Sequence, residues 1–307
     1  MINRWIIRNK VLHLVYASRI SSETSINKVE KELLFSIDKL YELAHLLIEI
    51  PLELRAEALR RIEQGKSKRV PTQTDLNPNT NFVDNKLIQI IENNIAVNNY
   101  ISKKSVNWTN YDKFIKDLFA RLSEWAIYQT YINKDNLSFK DQSKFIEKLF
   151  NKFLPMQEEL AEILEEKSIY WNDDLEFTLS ILGASIKKIK EDSDEHSIII
   201  PPYKNDEQKF AKELFRSAVI YNDNISEIIQ KHTLNWDMER IAQIDLVILQ
   251  LALAEILYIE GVPVNVSINE YIEISKHYSS AKSSNFINGV LDNAVKALKK
   301  SGELTKI

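Results

Sequence analysis

The chain has 307 residues, a net charge of −4, and 44% hydrophobic and 27% charged residues, which suits a globular protein of one large domain or two ordinary ones. Five glycines and seven prolines are too few for the turns of a many-stranded sandwich, barrel or propeller, and the glycines are too dispersed for a Walker loop or a dinucleotide fingerprint. Cysteine is absent, which excludes disulfides, thiolate metal sites and cysteine nucleophiles and is compatible with a cytoplasmic location.

Helical periodicity dominates from the start. Residues 3–18 predict a first helix with Ile7, Val11, Leu14 and Val15 on one face. Its apolar run is short and holds His13 and Tyr16, so it reads as amphipathic rather than as a signal peptide. A second helix is expected over 26–49, interrupted by Pro51, with a short helix continuing to about Gln64 and Gly65 as its stop. Residues 65–82 form the clearest loop, and helices are expected over 83–102 and 109–133. A second loop, acidic and then Pro-Pro, covers 190–205. Helices follow near 206–219, 222–233, 237–259, 264–278 and 284–300. No stretch approaches the apolar length of a membrane span. The segment from Asp141 echoes the one from Asp206 at a fixed offset: Phe145, Leu149, Phe150, Glu162, Ile163 and Trp171 recur as Phe210, Leu214, Phe215, Glu227, Ile228 and Trp236. Either a helix pair is duplicated or two amphipathic helices have converged on one pattern.

Four places carry chemistry. Residues 1–20 hold Arg4, Arg8, Lys10 and Arg19 and no acid, with Arg8, Leu12, Tyr16 and Arg19 in a stripe beside the apolar face. Guanidinium groups fork onto phosphates and Tyr stacks on an unpaired base, so this is an RNA-contact candidate, with a solvated helix flank as the alternative. Arg60, Arg61, Lys66, Lys68 and Arg69 make a second basic segment, opposed locally by Glu63. It is a secondary phosphate-contact candidate or a solvated helix end. The helix over 237–259 is apolar on nearly every side and belongs at the centre of the bundle, where Asp245 and Glu255 need partners or a covering protein. Near the C-terminus, Ser283 or Ser284 is the expected N-cap of the last helix, with Lys282, Asn285 and Phe286 around its start as a contact to phosphate and base, or Phe286 as a core anchor. The five histidines show no metal-ligand spacing, and no motif asks for an enzyme, a metal or a cofactor.

The run NWDMERIAQIDLVILQLALAEIL from Asn235, followed by VPVNVSINEYIEISKHYSSAKSSNFINGVLDNAVKAL from Val262, resembles the C-terminal half of the bacterial transcription antitermination family NusB. The matching positions include Trp236, Glu239, Arg240, Asp245 and Glu255, then Pro263, Asn269 and Glu270, then Ser283, Phe286, Asn288, Gly289 and Asp292. The opening NRWIIRNKVLHLVY is similar to the family's first helix, with Tyr16 at its Tyr position. The resemblance implies an all-α helical bundle: a NusB-like core of two subdomains with additional inserted helices. Residues 1–20 would supply the first helix, 21–200 a helical insertion that includes an LNPNT loop at Leu76–Thr80, and 201–300 the C-terminal half. It also implies a non-enzymatic role, binding boxA-type single-stranded RNA of ribosomal RNA transcripts with NusE, a small-subunit ribosomal protein, so that the RNA polymerase elongation complex reads through terminators. Arg4, Arg8, Lys10, Tyr16, Lys282, Asn285 and Phe286 would then face RNA, and Glu239, Arg240 and Asp245 the protein partner. On this reading Arg8→Ala weakens RNA binding and leaves the fold intact. The alternative is a helical scaffold that holds NusE without touching RNA. A ribosomal RNA methyltransferase, which would need a Gly-rich cofactor loop, comes last.

Overall fold

The computed structural model describes residues 3–21, 25–201, 205–233 and 241–306. Among them every regular element is a helix, and none is long and apolar enough to cross a membrane. In chain order the α-helices are α1 (Arg4–Ser21), α2 (Ile26–Ile48), α3 (Ile50–Lys66), α4 (Gln73–Leu76), α5 (Lys86–Glu92), α6 (Ile95–Lys104), α7 (Asp112–Glu124) and α8 (Ala126–Ile132). Then come α9 (Phe139–Lys148), α10 (Glu158–Lys167), α11 (Leu175–Ile186), α12 (Asn205–Ile220), α13 (Asn222–His232), α14 (Gln243–Tyr258), α15 (Val264–Tyr278) and α16 (Ala281–Ser301). Two compact units emerge, one made of Ile2–Ile37 and Tyr203–Ile307, the other of Asp38–Pro202.

In the first unit α14 is the hub. It packs against α1, α12, α13, α15 and α16, and Val247, Ile248, Leu249, Leu251, Ala252, Leu253, Ala254 and Ile256 have no exposed surface. A helix apolar on all sides can sit only where neighbours cover every face. At its C-terminal end Lys306 Nζ donates to the Ile259 carbonyl at 2.7 Å and to the Glu255 carbonyl at 3.2 Å, the latter also accepting from the Ile259 N–H.

The second unit is built on the C-terminal part of α2. Two indoles from later helices anchor there, Trp108 Nε1 donating to the Leu46 carbonyl and Trp171 Nε1 to that of Lys39. The LNPNT loop has a mechanical role. The Asn79 and Asn81 side-chain amides both donate to the Ile132 carbonyl at the end of α8, and the Tyr131 hydroxyl donates back to the Asn81 carbonyl. Asn85 caps α5 and donates to the same hydroxyl, while Tyr131 stacks on Phe145 at 4.2 Å.

Several expected boundaries move for local reasons. The helix anticipated over 83–102 divides at Asn94, whose carbonyl-type oxygen caps α6 at the Val97 N–H and whose amide holds the carbonyls of Glu195 and Ser197 in the acidic loop. The helix anticipated over 109–133 breaks at Trp125, which adopts an extended backbone. Gly65 lies inside the last turn of α3 rather than beyond it, and there Asp75 comes so close that a Cβ would meet its Oδ1 at 2.8 Å. The N-cap of α16 is Ser280, which accepts from the Ser283 N–H, and not Ser283 or Ser284.

Two groups in this second unit, the buried His45 and the half-buried Glu49, oppose each other in pH. His45 is 2% exposed and stacked on Tyr100, and burial pushes its pKa down to about 4 although a backbone hydrogen bond with Tyr41 works the other way. Burial, helped by Glu53, pushes Glu49 up to about 8. The His45 contribution is intact above the unfolded-chain value of about 6.5 and is lost as pH falls toward 4, a change of about 3 kcal/mol. The Glu49 contribution is intact below about 4.5 and is lost as pH rises through 8. Urea unfolding of Glu49→Gln is expected to show a flattened loss of stability between pH 6.5 and 8.5. An unchanged slope in that window contradicts the burial of Glu49.

Candidate nucleic-acid interface

The first helix is started by Asn3, whose side-chain oxygen accepts from the Ile6 N–H at 3.0 Å. From there the chain turns its cations in two directions. Arg8 is 2% exposed and faces the interior. Its Nε and Nη2 each lie 2.8 Å from the Glu255 carboxylate of α14, a bidentate fork, and its Nη1 donates to Glu270 of α15 at 3.0 Å. Burial alone would lower the Arg8 pKa, but the hydrogen bonds and charge of Glu255 outweigh it and raise it, so the guanidinium stays charged. Glu255 has no exposed surface and receives two further donors, the hydroxyls of Ser267 at 2.7 Å and Tyr271 at 3.2 Å. The rings of Phe210 and Tyr271 complete the enclosure, 5.4 and 5.9 Å from the Arg8 guanidinium carbon.

This corrects the expectation for Arg8. A stripe drawn from helix spacing places it beside the apolar face, but the carboxylate that claims it lies 247 residues away in sequence. Lys10, also expected to face RNA, is 5% exposed. Arg19 is exposed yet committed, donating to Gln250 Oε1 at 2.7 Å and Asn222 Oδ1 at 3.2 Å. Gln250 is itself buried and donates to the Ala218 carbonyl and to Asn222.

The remaining candidates share a different side of the unit. Arg4 is exposed, 5.0 Å above the Phe210 ring. Tyr16 is half-buried, on the side of α1 that also carries Trp5, Asn9 and His13 at spacings of eleven, seven and three residues. His13 meets Tyr278 edge-on at 5.0 Å, and Trp5 meets the exposed His277 at 5.7 Å. These two contacts seat α1 on the C-terminal end of α15, and Ser280 opens α16 two residues after Tyr278. Lys282 and Asn285 are exposed on the first turns of α16, and Phe286 is half-buried. The structure therefore brings Trp5 and His13 against His277 and Tyr278 at the end of α15, just before α16 begins, with Tyr16 on the same side of α1. Of these only Tyr16 was expected. Trp5 and His13 could have been found from their helical spacing to Tyr16, whereas His277 and Tyr278 required the packing of α1 on α15.

Of the residues expected at a protein partner, Glu239 and Arg240 lie outside the described residues, as does Trp236. Asp245 is 4% exposed, and its Oδ1 has no hydrogen-bond partner among the described residues. The second basic segment is partly neutralised: Arg60 and Arg61 share the buried Glu57, and Lys68 binds Asp75 at 2.8 Å.

The fold is thus an all-α bundle whose first helix is clamped by a buried ion pair and whose aromatic side packs on the C-terminal end of α15. The NusB family model matches residues 176–296. The chain is 41% identical over 113 residues to the transcription antitermination protein NusB of Salinibacter ruber, covering 36% of this chain and 71% of that protein. It is 44% identical over 91 residues to the transcription antitermination protein NusB of Bacillus subtilis, covering 29% of this chain and 70% of that one. With the protein of the same name from Finegoldia magna the identity is 44% over 93 residues, 30% and 67% of the two chains. The chain belongs to the NusB family.

Proposed function

We propose that this protein is a cytoplasmic transcription antitermination factor that binds boxA-type single-stranded RNA of ribosomal RNA transcripts together with NusE and promotes read-through by RNA polymerase. The observation that supports it is the corner where Trp5 and His13 of α1, on the side that also carries Tyr16, meet His277 and Tyr278 at the end of α15, from which the chain runs directly into α16 with its exposed Lys282 and Asn285. Rings that stack on bases next to cations that take phosphates are what unpaired RNA requires. The role is one of binding and assembly, not catalysis.

The burial of Arg8 and Lys10 bears on affinity. Arg4 and Lys282 remain as exposed cations of the expected set. Neutralising about two phosphates on a single strand gives a salt slope near −1.4 in log K against log salt, so RNA binding alone is modest and NusE is expected to strengthen it. Fluorescence anisotropy of labelled boxA RNA, with and without NusE and beside a scrambled RNA, tests this. Lys282→Ala is expected to reduce the slope by about 0.7, and Tyr16→Ala to weaken binding by about 1–3 kcal/mol without changing the slope. Capture of NusE with no RNA binding at any salt would instead favour the scaffold reading, to which the inward turn of Arg8 and Lys10 already lends weight.

A further inference from the structure

The unit Asp38–Pro202 holds a pocket of about 240 Å³ beneath the loop that follows α3. Its walls include Ala58, Phe82 and Phe119, and its polar groups include Arg61, Asp75 and Tyr128. The volume is below the range of about 300–1,000 Å³ usual for drug-sized ligands, so it suits a single planar ring system rather than a whole nucleotide or cofactor. Two polar groups face this space in different states. Asp75 is saturated, accepting from Lys68 and from the Thr72 N–H and hydroxyl. Tyr128 is 7% exposed and lines the pocket, and its hydroxyl is not among the fully enclosed side-chain atoms that lack a hydrogen-bond partner, so it opens to the pocket rather than being sealed off. Here the hydroxyl lies at a cavity a ligand could enter, ready to donate to a ring carbonyl or accept from a ring amine.

The rim decides what kind of ligand. Gly65 lines the pocket, and the chain continues directly into the exposed Lys66, Lys68 and Arg69. Arg61 spans rim and wall: its Nε binds Glu57, its Nη2 donates to the Lys116 carbonyl, and its guanidinium lies over the Phe119 ring at 4.8 Å. Counting Arg60, Arg61, Lys66, Lys68 and Arg69 against Glu57, Glu63 and Asp75, the segment keeps a positive excess after its internal ion pairs. A neutral peptide side chain would have no use for it. A polyanionic strand that inserts one ring and lays its phosphates along the rim uses both features.

We propose that this pocket captures one unpaired base of an RNA strand, with the Tyr128 hydroxyl on the base edge and the flanking phosphates on Lys66 and Arg69, and so forms a second RNA contact in the stretch of chain that precedes the NusB family match at residues 176–296. The proposal rests on the antitermination reading only for the RNA's identity. The contact is non-sequence-specific, because a single hydroxyl reads little of a base edge and phosphates read none.

The test uses the full chain and three RNAs: boxA alone, boxA with a polyuridine tail on each side, and polyuridine alone. The tails are expected to tighten binding of the wild-type protein. Ala58→Leu, which fills the pocket with the branch of a leucine, is expected to abolish the tails' gain and weaken polyuridine binding about tenfold. Tyr128→Phe, which keeps the ring and removes only the hydroxyl, is expected to weaken polyuridine binding several-fold, and circular dichroism of that variant is expected to be unchanged. Both variants leave boxA binding in the presence of NusE as it was. Polyuridine that binds wild type and both variants equally, or tails that add nothing, overturns the pocket. Loss of boxA binding in the wild type, with polyuridine still bound and still sensitive to Tyr128→Phe, overturns the antitermination reading and leaves the pocket standing.

Discussion

Arg8→Ala is expected to cost about 3–5 kcal/mol in urea unfolding followed by circular dichroism, because it leaves Glu255 charged, unexposed and without its bidentate partner. The two remaining donors, Ser267 and Tyr271, satisfy hydrogen bonds but supply no positive charge. Lys306 does not substitute, since its Nζ is held by main-chain oxygens at the end of α14. Arg8→Met with Glu255→Gln removes both charges and keeps an acceptor for the two hydroxyls, so it is expected to regain a large part of the loss. A single variant as stable as wild type would mean that Arg8 is not enclosed as described. A double variant no better than the single one would mean that the two residues do not act as a pair. RNA binding of Arg8→Ala is informative only at temperatures where it is folded, since the substitution loosens the seat of α1 on α14 and α15 rather than removing a surface cation.

What could be read from the sequence divides along the same line. The hub was legible because an apolar run with few interruptions has one stable location, and α14 occupies it. Pro51 marks the break between α2 and α3, sitting in the first turn of α3 as proline geometry allows. The clamp was not legible, because periodicity reports which side of a helix is apolar and is silent on a carboxylate that arrives from another helix. For the same reason Asp245 and Glu255 looked alike on one helix: Glu255 has four donors, whereas Asp245 keeps an oxygen unpaired among the described residues. The basic segment after Arg60 promised more free charge than it has, since Glu57 lies one turn earlier than the stretch that drew attention. At the corner proposed for RNA the sequence named Tyr16, Lys282, Asn285 and Phe286, but not the rings of His277 and Tyr278, which matter only because α1 lies against them.

Phe150→Ala and Phe215→Ala are expected to cost about 3–5 kcal/mol each, the range for emptying a buried phenylalanine site. They occupy equivalent places in the echoed segments. Along α9 and the π turn Leu149–Phe153 that continues it, the buried apolar positions are Phe145, Ile146, Leu149, Phe150 and Phe153, with Gln142 buried as well. Along α12 they are Phe210, Ala211, Leu214, Phe215 and Ala218, each 65 residues later. The next helices keep the register: α10 ends at Lys167 and α13 at His232, and Leu160 and Leu164 are buried where Ile225 and Ile229 are. Each phenylalanine helix then packs on a following helix of its own unit, α9 on α11 and α12 on α14. Convergence of two amphipathic helices accounts for a shared apolar face, but not for the shared end of the second helix or for the same packing partner in order. A duplicated helix pair accounts for all three. Because each pair is packed inside its own unit, the two losses are expected to add when combined. A loss below about 1.5 kcal/mol at either site would show that the echo is one of sequence only, with one of the two phenylalanines outside a true core.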